Sequence, residues 1–417
     1  MPPRHRPLSE EDWLALGFEV ANLFTAGPVD EERLFAGRSS EVRKLLETVL
    51  ERSKHGILFG ERGVGKTSLS NIFWKRYGKT LQSIVAARIQ ADPSDTFSSL
   101  WIKALEELRA TAVNTGRGDL VPIDTDYAEV TPDTIRRELQ KCMPNAISII
   151  ILDEFDKLRD RDAKELTANV IKSLSDYSVS TTILLVGVAD NVSELVRDHE
   201  SVRRPLTQVK LERMSRDELN EILNTRLALV PLHLHGDARW KMVMLARGLP
   251  FYVHVLGKYA FQNCAYAKRL EVKEEDVDAA MDKFISETEQ SFFEDYRRAT
   301  ESNQPDAIFR QVLLACALAR SDDSGAFSPT SVIQPLSAIL RKSVQHANFQ
   351  RHLTEFISDS RGSILARRGK ERQYRYRFSD PMMQPYIIIK GIREGMVDEK
   401  TKSILSYPEQ PSLAIEP

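Results

Sequence analysis

Gly60-Glu61-Arg62-Gly63-Val64-Gly65-Lys66-Thr67 is a complete G-x-x-x-x-G-K-[ST] loop, and its surroundings decide how the chain folds. Residues 56–59, Gly-Ile-Leu-Phe, read as a buried strand, and residues 68–77 read as a helix with Leu69, Ile72 and Phe73 inward. Strand, loop and helix follow in the order that phosphate binding needs. The glycines let backbone amides curl around phosphates where a side chain would block approach, and the helix N-terminus adds its positive dipole end. The stretch from Gly60 to Ser68 is therefore expected to hold a nucleoside triphosphate. Lys66 would neutralise the β and γ phosphates, and Thr67 would offer its hydroxyl to Mg2+.

A second segment, Ile149-Ile150-Ile151-Leu152-Asp153-Glu154, is apolar at every position and ends in two carboxylates. It looks like a Walker B strand. A run without alternation suits a parallel strand buried on both faces, which delivers Asp153 to the strand's carboxyl end beside the phosphate loop. Asp153 would hold Mg2+ through water, and Glu154 would polarise the attacking water. The bland alternative is an acidic pair that caps the next helix. Asp156 and Lys157 read as a solvated helix start.

The 417 residues are too many for one ordinary core and suggest two or three domains. Lys plus Arg number 58 against 60 acidic residues, so there is no global positive field, and any nucleic-acid contact must come from a local patch. Cys142, Cys264 and Cys316 lie far apart in apolar surroundings, which reads as reduced core cysteines of a cytoplasmic protein without a disulfide framework or zinc spacing. The first residues, Met-Pro-Pro-Arg-His-Arg, are not followed by an apolar stretch, and no segment approaches membrane-spanning length. A soluble chain with no membrane partner is expected.

Further along, residues 83–89 and 182–188 read as strands, with a shorter one around 209–211, while 96–108, 134–141 and 163–175 carry helical spacing. Residues 115–131 read as a polar loop. Strands alternating with helices indicate a parallel sheet. From Arg216 onward the strands are expected to stop, with helices over 217–229, 238–246, 251–267 and 274–296. Residues 8–24 read as a helix packing on the nucleotide-binding core, and the last residues as a mobile tail.

The order of these motifs resembles an AAA+ ATPase of the origin-recognition type (ORC/Cdc6-like) and the related STAND group. The implied fold is an α/β P-loop NTPase with an AAA+ parallel sheet, followed by a helical lid domain and a winged-helix domain. The corresponding boundaries are 1–34 for an N-terminal helical extension, 35–214 for the core, 215–300 for the lid, 301–396 for the winged helix and 397–417 for the tail. Phe35-Ala36-Gly37-Arg38 with Glu41 resembles the F-x-G-R-x-x-E box, which in those families lies near the adenine, so Phe35 and Arg38 become nucleotide candidates. Asp190 or Asn191 falls where the family keeps its sensor 1 residue. Residues 199–205 resemble the segment that lends an arginine finger to a neighbouring subunit, which makes Arg203 or Arg204 the candidate and homo-oligomeric assembly the condition for hydrolysis. A solvated helix end is the alternative reading of those arginines. Where origin initiators often have a sensor 2 arginine, this chain has Gly248-Leu249-Pro250, which resembles the G-x-P element of STAND and bacterial transposition ATPases, with Pro250 approaching the nucleotide. His254 or Lys258 is a candidate replacement for the cation, against a core role for the histidine. ATP in preference to GTP is implied by the resemblance.

Residues 306–319, 329–340 and 346–358 read as three helices, followed by strands at 363–367 and 373–378 joined by a turn. Phe378-Ser379-Asp380-Pro381 with Tyr386 resembles the close of a winged helix in this superfamily. Arg361, Arg367, Arg368, Lys370, Arg372, Arg375 and Arg377 make the wing basic, opposed only by Asp359 and Glu371. Alternation in Tyr374-Arg375-Tyr376-Arg377 puts tyrosines on one face and arginines on the other. Contact with the backbone of double-stranded DNA is one reading; a charged edge that prevents strand pairing is the other.

Two functions follow. One is a DNA-bound, assembling ATPase, slow by itself, that recruits or licenses a partner such as a transposase, helicase or nuclease. The other is a STAND-type signalling switch, for example in phage defence, whose winged helix controls nucleotide exchange without DNA. A protein-remodelling motor is a third reading that no pore loop or substrate domain supports.

Overall fold

The computed structural model describes residues 8–75, 84–143, 146–189, 192–195, 204–287, 290–304, 306–322, 324–369 and 374–397. The chain forms two compact units: residues 27–212, and residues 1–26 together with 213–417.

The first unit is a parallel α/β layer structure. Helix α2 (Ser39–Leu50) follows the first unit's entry segment and precedes β1 (His55–Gly60). Then come α3 (Lys66–Ile72), β2 (Ile84–Gln90), α4 (Phe97–Asn114), α5 (Pro132–Gln140), β3 (Ile147–Asp153), α6 (Arg161–Asp176), β4 (Thr182–Val188) and β5 (Leu206–Leu211). The strand order is β2-β3-β4-β1-β5, and every pairing is parallel. Strand β4 therefore separates the strand that feeds the phosphate loop from the strand that ends in acids. β1 and the apolar run of β3 are buried along almost their whole length, as strands covered on both faces must be. The helices start where side chains satisfy their first amides: Thr96 accepts from Ser99 N–H, Thr131 from Thr134 N–H ahead of Pro132, and Asp160 from the amides of Asp162 and Ala163. Buried Trp101 of α4 donates its indole N–H to Thr167 of α6 at 3.2 Å. His55, fully buried at the start of β1, accepts Ile183 N–H on Nδ1 at 3.0 Å, and burial lowers its pKa to about 4.

The second unit begins with α1 (Glu10–Leu23), closed at its start by a reciprocal Ser9–Asp12 capping box. It continues with α7 (Arg216–Leu227), β6 (His233–Leu234), α8 (Gly236–Ala246), α9 (Pro250–Tyr266), β7 (Glu271–Val272), α10 (Glu274–Glu287) and α11 (Gln290–Thr300). One expectation is corrected here. The strands do not stop at Arg216, because β6 and β7 pair in parallel; with two residues each they carry no period to read. Helix α1 packs on α9 of its own unit. Phe24 lies 5.0 Å from the Phe261 ring, Gln262 donates to Gly17 O, and buried Arg226 donates Nε to Leu23 O at 3.0 Å.

The unit ends with α12 (Phe309–Leu318), α13 (Ile333–Leu340), α14 (Gln350–Phe356), the antiparallel hairpin β8 (Leu365–Arg368) and β9 (Arg375–Phe378), and α15 (Met383–Arg393). Phe327 exchanges both backbone hydrogen bonds with Tyr376 and adds a third position to the hairpin. Three helices thus precede the hairpin and one follows it. No helix among the described residues is long and apolar enough to cross a membrane.

Candidate nucleotide site

The loop after β1 is shaped by its glycines. Gly63 and Gly65 adopt φ of 86° and 96°, the left-handed region that other residues enter at a cost, and Gly65 is the cap from which α3 starts. Gly60 is required for a different reason: a Cβ there would lie 2.3 Å from the carbonyl oxygen of Leu211 on β5. Lys66 folds back over the loop and donates to the carbonyls of Gly60 and Glu61 at 3.0 and 2.8 Å. Burial lowers its pKa to about 8 against the opposing pull of Asp156, Asp153, Glu61 and Glu154. Ser68 accepts Val29 N–H at 3.0 Å.

At the carboxyl end of β3 the structure brings together what the motifs kept 86 residues apart: Thr67 donates its hydroxyl to Asp153 Oδ2 at 3.1 Å. Asp153 is 2% exposed, and its Oδ1 accepts Glu154 N–H at 2.9 Å. Glu154 stands at φ 55°, a strained conformation for a non-glycine residue that turns its side chain away from the strand line. Its carboxylate is held by Gln90 Nε2 and by Lys157 Nζ at 2.7 Å. Burial raises its pKa, but the bonds from Lys157 and Gln90 outweigh it and hold the carboxyl below its ordinary value. Both Asp156 and Lys157 lie in a short 3-10 helix, Phe155–Lys157, where Lys157 is exposed as expected; Asp156 differs, because it accepts Val188 N–H at 2.8 Å and ties this loop to β4.

Sequence reading missed Arg88 and Gln90. Arg88 donates Nε and Nη2 to Asp153 Oδ2 at 3.1 and 2.8 Å. A signal was present, since Arg88 and Gln90 are two polar residues spaced i, i+2 at the end of the otherwise apolar Ile-Val-Ala-Ala-Arg-Ile-Gln strand.

Arg38, 5% exposed at φ 61°, donates Nη2 to the carbonyls of Val64 at 3.2 Å and Glu212 at 2.5 Å, so the box residue braces the phosphate loop from behind. Phe35 is buried nearby in sequence. Exposed Arg204 precedes β5 at the end of the sheet opposite the loop, where Leu206 pairs with His55 while Leu211 pairs with Gly60. It lines a hollow of about 400 Å3 with Lys54, Lys172 and Asp176. Asp190, Asn191, Arg203, Lys370 and Arg372 lie outside the described residues, as does the expected tail beyond Val397.

In the second unit, Arg247 at φ 50° is buried and donates Nη2 to the carbonyls of Ala317 and Ala319. Gly248, at φ 81°, has Arg213 and Met214 where a Cβ would go, and buried Pro250 opens α9. His254 cannot replace a missing cation: burial, then the charge of Arg226, lowers its pKa to about 3, so it is a neutral core residue. In the wing, register puts Arg368, Arg375 and Arg377 on one face and Arg367, Tyr376 and Phe378 on the other. Arg367 lies 4.2 Å from the Tyr374 ring centroid, and Arg375 pairs with Asp322 at 2.6 Å. Arg361 stands apart from the wing, stacked 3.8 Å from the Phe309 centroid and donating to the carbonyls of Ala299 and Glu301.

Residues 49–196 match the family model described as "AAA domain". The chain carries an AAA domain. Its five parallel strands, phosphate loop and acid-ending β3 are the features just described. A comparison with curated proteins gives no match. Among solved structures, the chain resembles the ORC2 protein of Aeropyrum pernix in its ADPNP-ADP complexes, at 15% identity and TM-score 0.51 over 90% of this chain and 98% of that one. It also resembles the Walker-type ATPase PABY2304 of Pyrococcus abyssi, at 18% identity and TM-score 0.50 over 88% and 99%. At these identities the likeness is one of fold, and it extends beyond the AAA domain to most of the chain.

Proposed function

We propose that this chain is an ATP-binding and ATP-hydrolysing switch that assembles on DNA and engages a partner protein. The observation that carries the reading is the meeting of Thr67, Asp153 and Glu154 beside the glycine-shaped loop. The oxygens of Thr67 and Asp153 are hard ligands of the kind Mg2+ prefers when it keeps waters and phosphate oxygens as its other partners, so this pair fits that ion. Bound Mg2+ would offset charge on the phosphates. Gly60 to Ser68 cradle the phosphates with backbone amides, and Lys66, already poised over the loop, turns its ammonium from carbonyls to phosphate oxygens. Glu154 orients the attacking water once Gln90 and Lys157 release it. Asp190 or Asn191 is assigned to sensing the γ-phosphate, while Phe35, with Arg38 behind the loop, belongs to the nucleotide pocket.

Arg204 sits at the wrong end of its own sheet to reach its own phosphate loop, which supports a role in a neighbouring copy's site for it or for Arg203, its neighbour in sequence. Hydrolysis then depends on assembly. The division into core, lid, winged helix and tail remains the working domain plan, with Pro250 as the lid's approach to the nucleotide. The face of Arg368, Arg375 and Arg377 is assigned to DNA phosphates, together with Lys370 and Arg372 from the segment that joins the two strands in sequence; Arg367, on the opposite face, and Arg361, engaged with carbonyls, are withdrawn from that set.

The test is ATP hydrolysis by the purified protein with and without duplex DNA, at low and moderate salt, beside an Arg203/Arg204 double alanine variant. Stimulation that fades with salt and vanishes in the variant is expected. Nucleotide binding with no response to DNA would overturn the DNA assignment in favour of a signalling switch.

A further inference from the structure

Asp153 is nearly inaccessible, and a buried carboxylate without a counter-charge is strongly unfavourable. Its partners divide unequally. Among the described residues, Oδ1 takes only the backbone amide of Glu154, whereas Oδ2 takes the Thr67 hydroxyl and two guanidinium donors from Arg88. Lys66 adds its charge only from a distance, because its ammonium donates to the carbonyls of Gly60 and Glu61, whereas Arg88 touches the carboxylate directly. Oδ2 is also the oxygen turned toward Thr67, and so toward the place where a divalent cation would be shared between the two.

Arg88 lies on β2, the edge strand of the sheet, with its backbone paired to Ile151. Its side chain is 38% exposed while that of Asp153 is 3% exposed. The guanidinium can therefore leave toward solvent without disturbing the core, but the carboxylate cannot follow it.

We propose that Arg88 is a positioning residue that holds the Asp153 carboxylate as a stand-in cation and gives up Oδ2 when a divalent metal arrives with the nucleotide. The proposal rests on the reading of Thr67 and Asp153 as the metal pair. Arg88 and the metal then compete for one oxygen, so part of the metal's binding energy goes into displacing the guanidinium. The exchange keeps the carboxylate neutralised in both states.

The test is the ratio of ADP affinity with saturating Mg2+ to that in excess EDTA, measured by equilibrium binding for the full chain and three variants. In Arg88→Gln, Mg2+ meets no competitor, and the ratio rises about tenfold, the scale on which outer-shell groups act on metal affinity. The Arg88→Lys variant keeps a positive charge near Oδ2 and stays close to the native ratio. Metal-free Arg88→Gln also melts below the native protein, with the gap narrowing in Mg2+ and ADP. A ratio that is unchanged or lower in Arg88→Gln, with native behaviour of Arg88→Lys, would overturn the proposal. Asp153→Asn brings the ratio near one if the metal reading holds; an unchanged ratio there would overturn that reading and the proposal with it.

Discussion

The phosphate-loop region and the wing are both dense in charged and polar residues, yet the fold treats them in opposite ways. In the first unit, parallel strands bring residues distant in sequence to one edge, so Thr67, Arg88, Gln90, Asp153 and Glu154 converge within hydrogen-bond reach. In the wing, residues adjacent in sequence are sent apart. The pleat divides Arg367 from Arg368, Phe309 and two carbonyls hold Arg361, and Asp322 pairs with Arg375. A motif with fixed spacing encodes a geometry, whereas a run of like charge encodes only a composition.

The sharpest way to break this contrast is Glu154→Gln, which should slow ATP hydrolysis by about two to four orders of magnitude with ATP binding retained. Loss of binding in that variant, measured by equilibrium titration, would make the carboxylate structural and remove the distinction. The sheet beneath the site can be probed by acid. His55 is held neutral with its pKa near 4 against an ordinary 6.5, so the unfolded chain takes up its proton first as pH falls. Its contribution is present above pH 6.5 and is lost through the window from 6.5 down to 4, by up to about 3 kcal/mol. Denaturant melts across that window should show the decline, and His55→Asn should flatten it. On the wing, replacing Arg368, Arg375 and Arg377 together by alanine should weaken duplex DNA binding roughly thirtyfold at moderate salt and flatten the salt slope by about 2.7. The smallest effect is expected for Arg361→Ala: a stability loss of about 1–2 kcal/mol from its ring and carbonyl contacts, with the salt slope unmoved. A changed slope would return Arg361 to the DNA-facing set.

The parallel sheet and the phosphate loop were legible because an apolar run, a glycine pattern and a following helix each constrain backbone geometry directly. Less was legible where tertiary packing decides. Arg88 and Gln90 sit on a strand read correctly, but only the register of β2 against β3 brings them to Asp153 and Glu154. Helix α1 was expected from its periodicity, while its partner α9 depends on Phe24, Gly257 and buried Arg226, which no local pattern announces. The helical spacing read over 274–296 agrees with the described residues, which are helical over Glu274–Glu287 and Gln290–Thr300. Arg247 donates to the last carbonyls of α12 and beyond, a packing role that no local pattern announces.

Gly60 stands so close to Leu211 that even a methyl group would collide with the neighbouring strand's carbonyl. The first letter of the phosphate loop is therefore kept by the sheet, whatever becomes of the nucleotide. In a descendant that had abandoned ATP, Lys66 and Thr67 would be free to drift while Gly60 persisted. Such a remnant would be a fossil of architecture, and it should not be mistaken for evidence of a living enzyme.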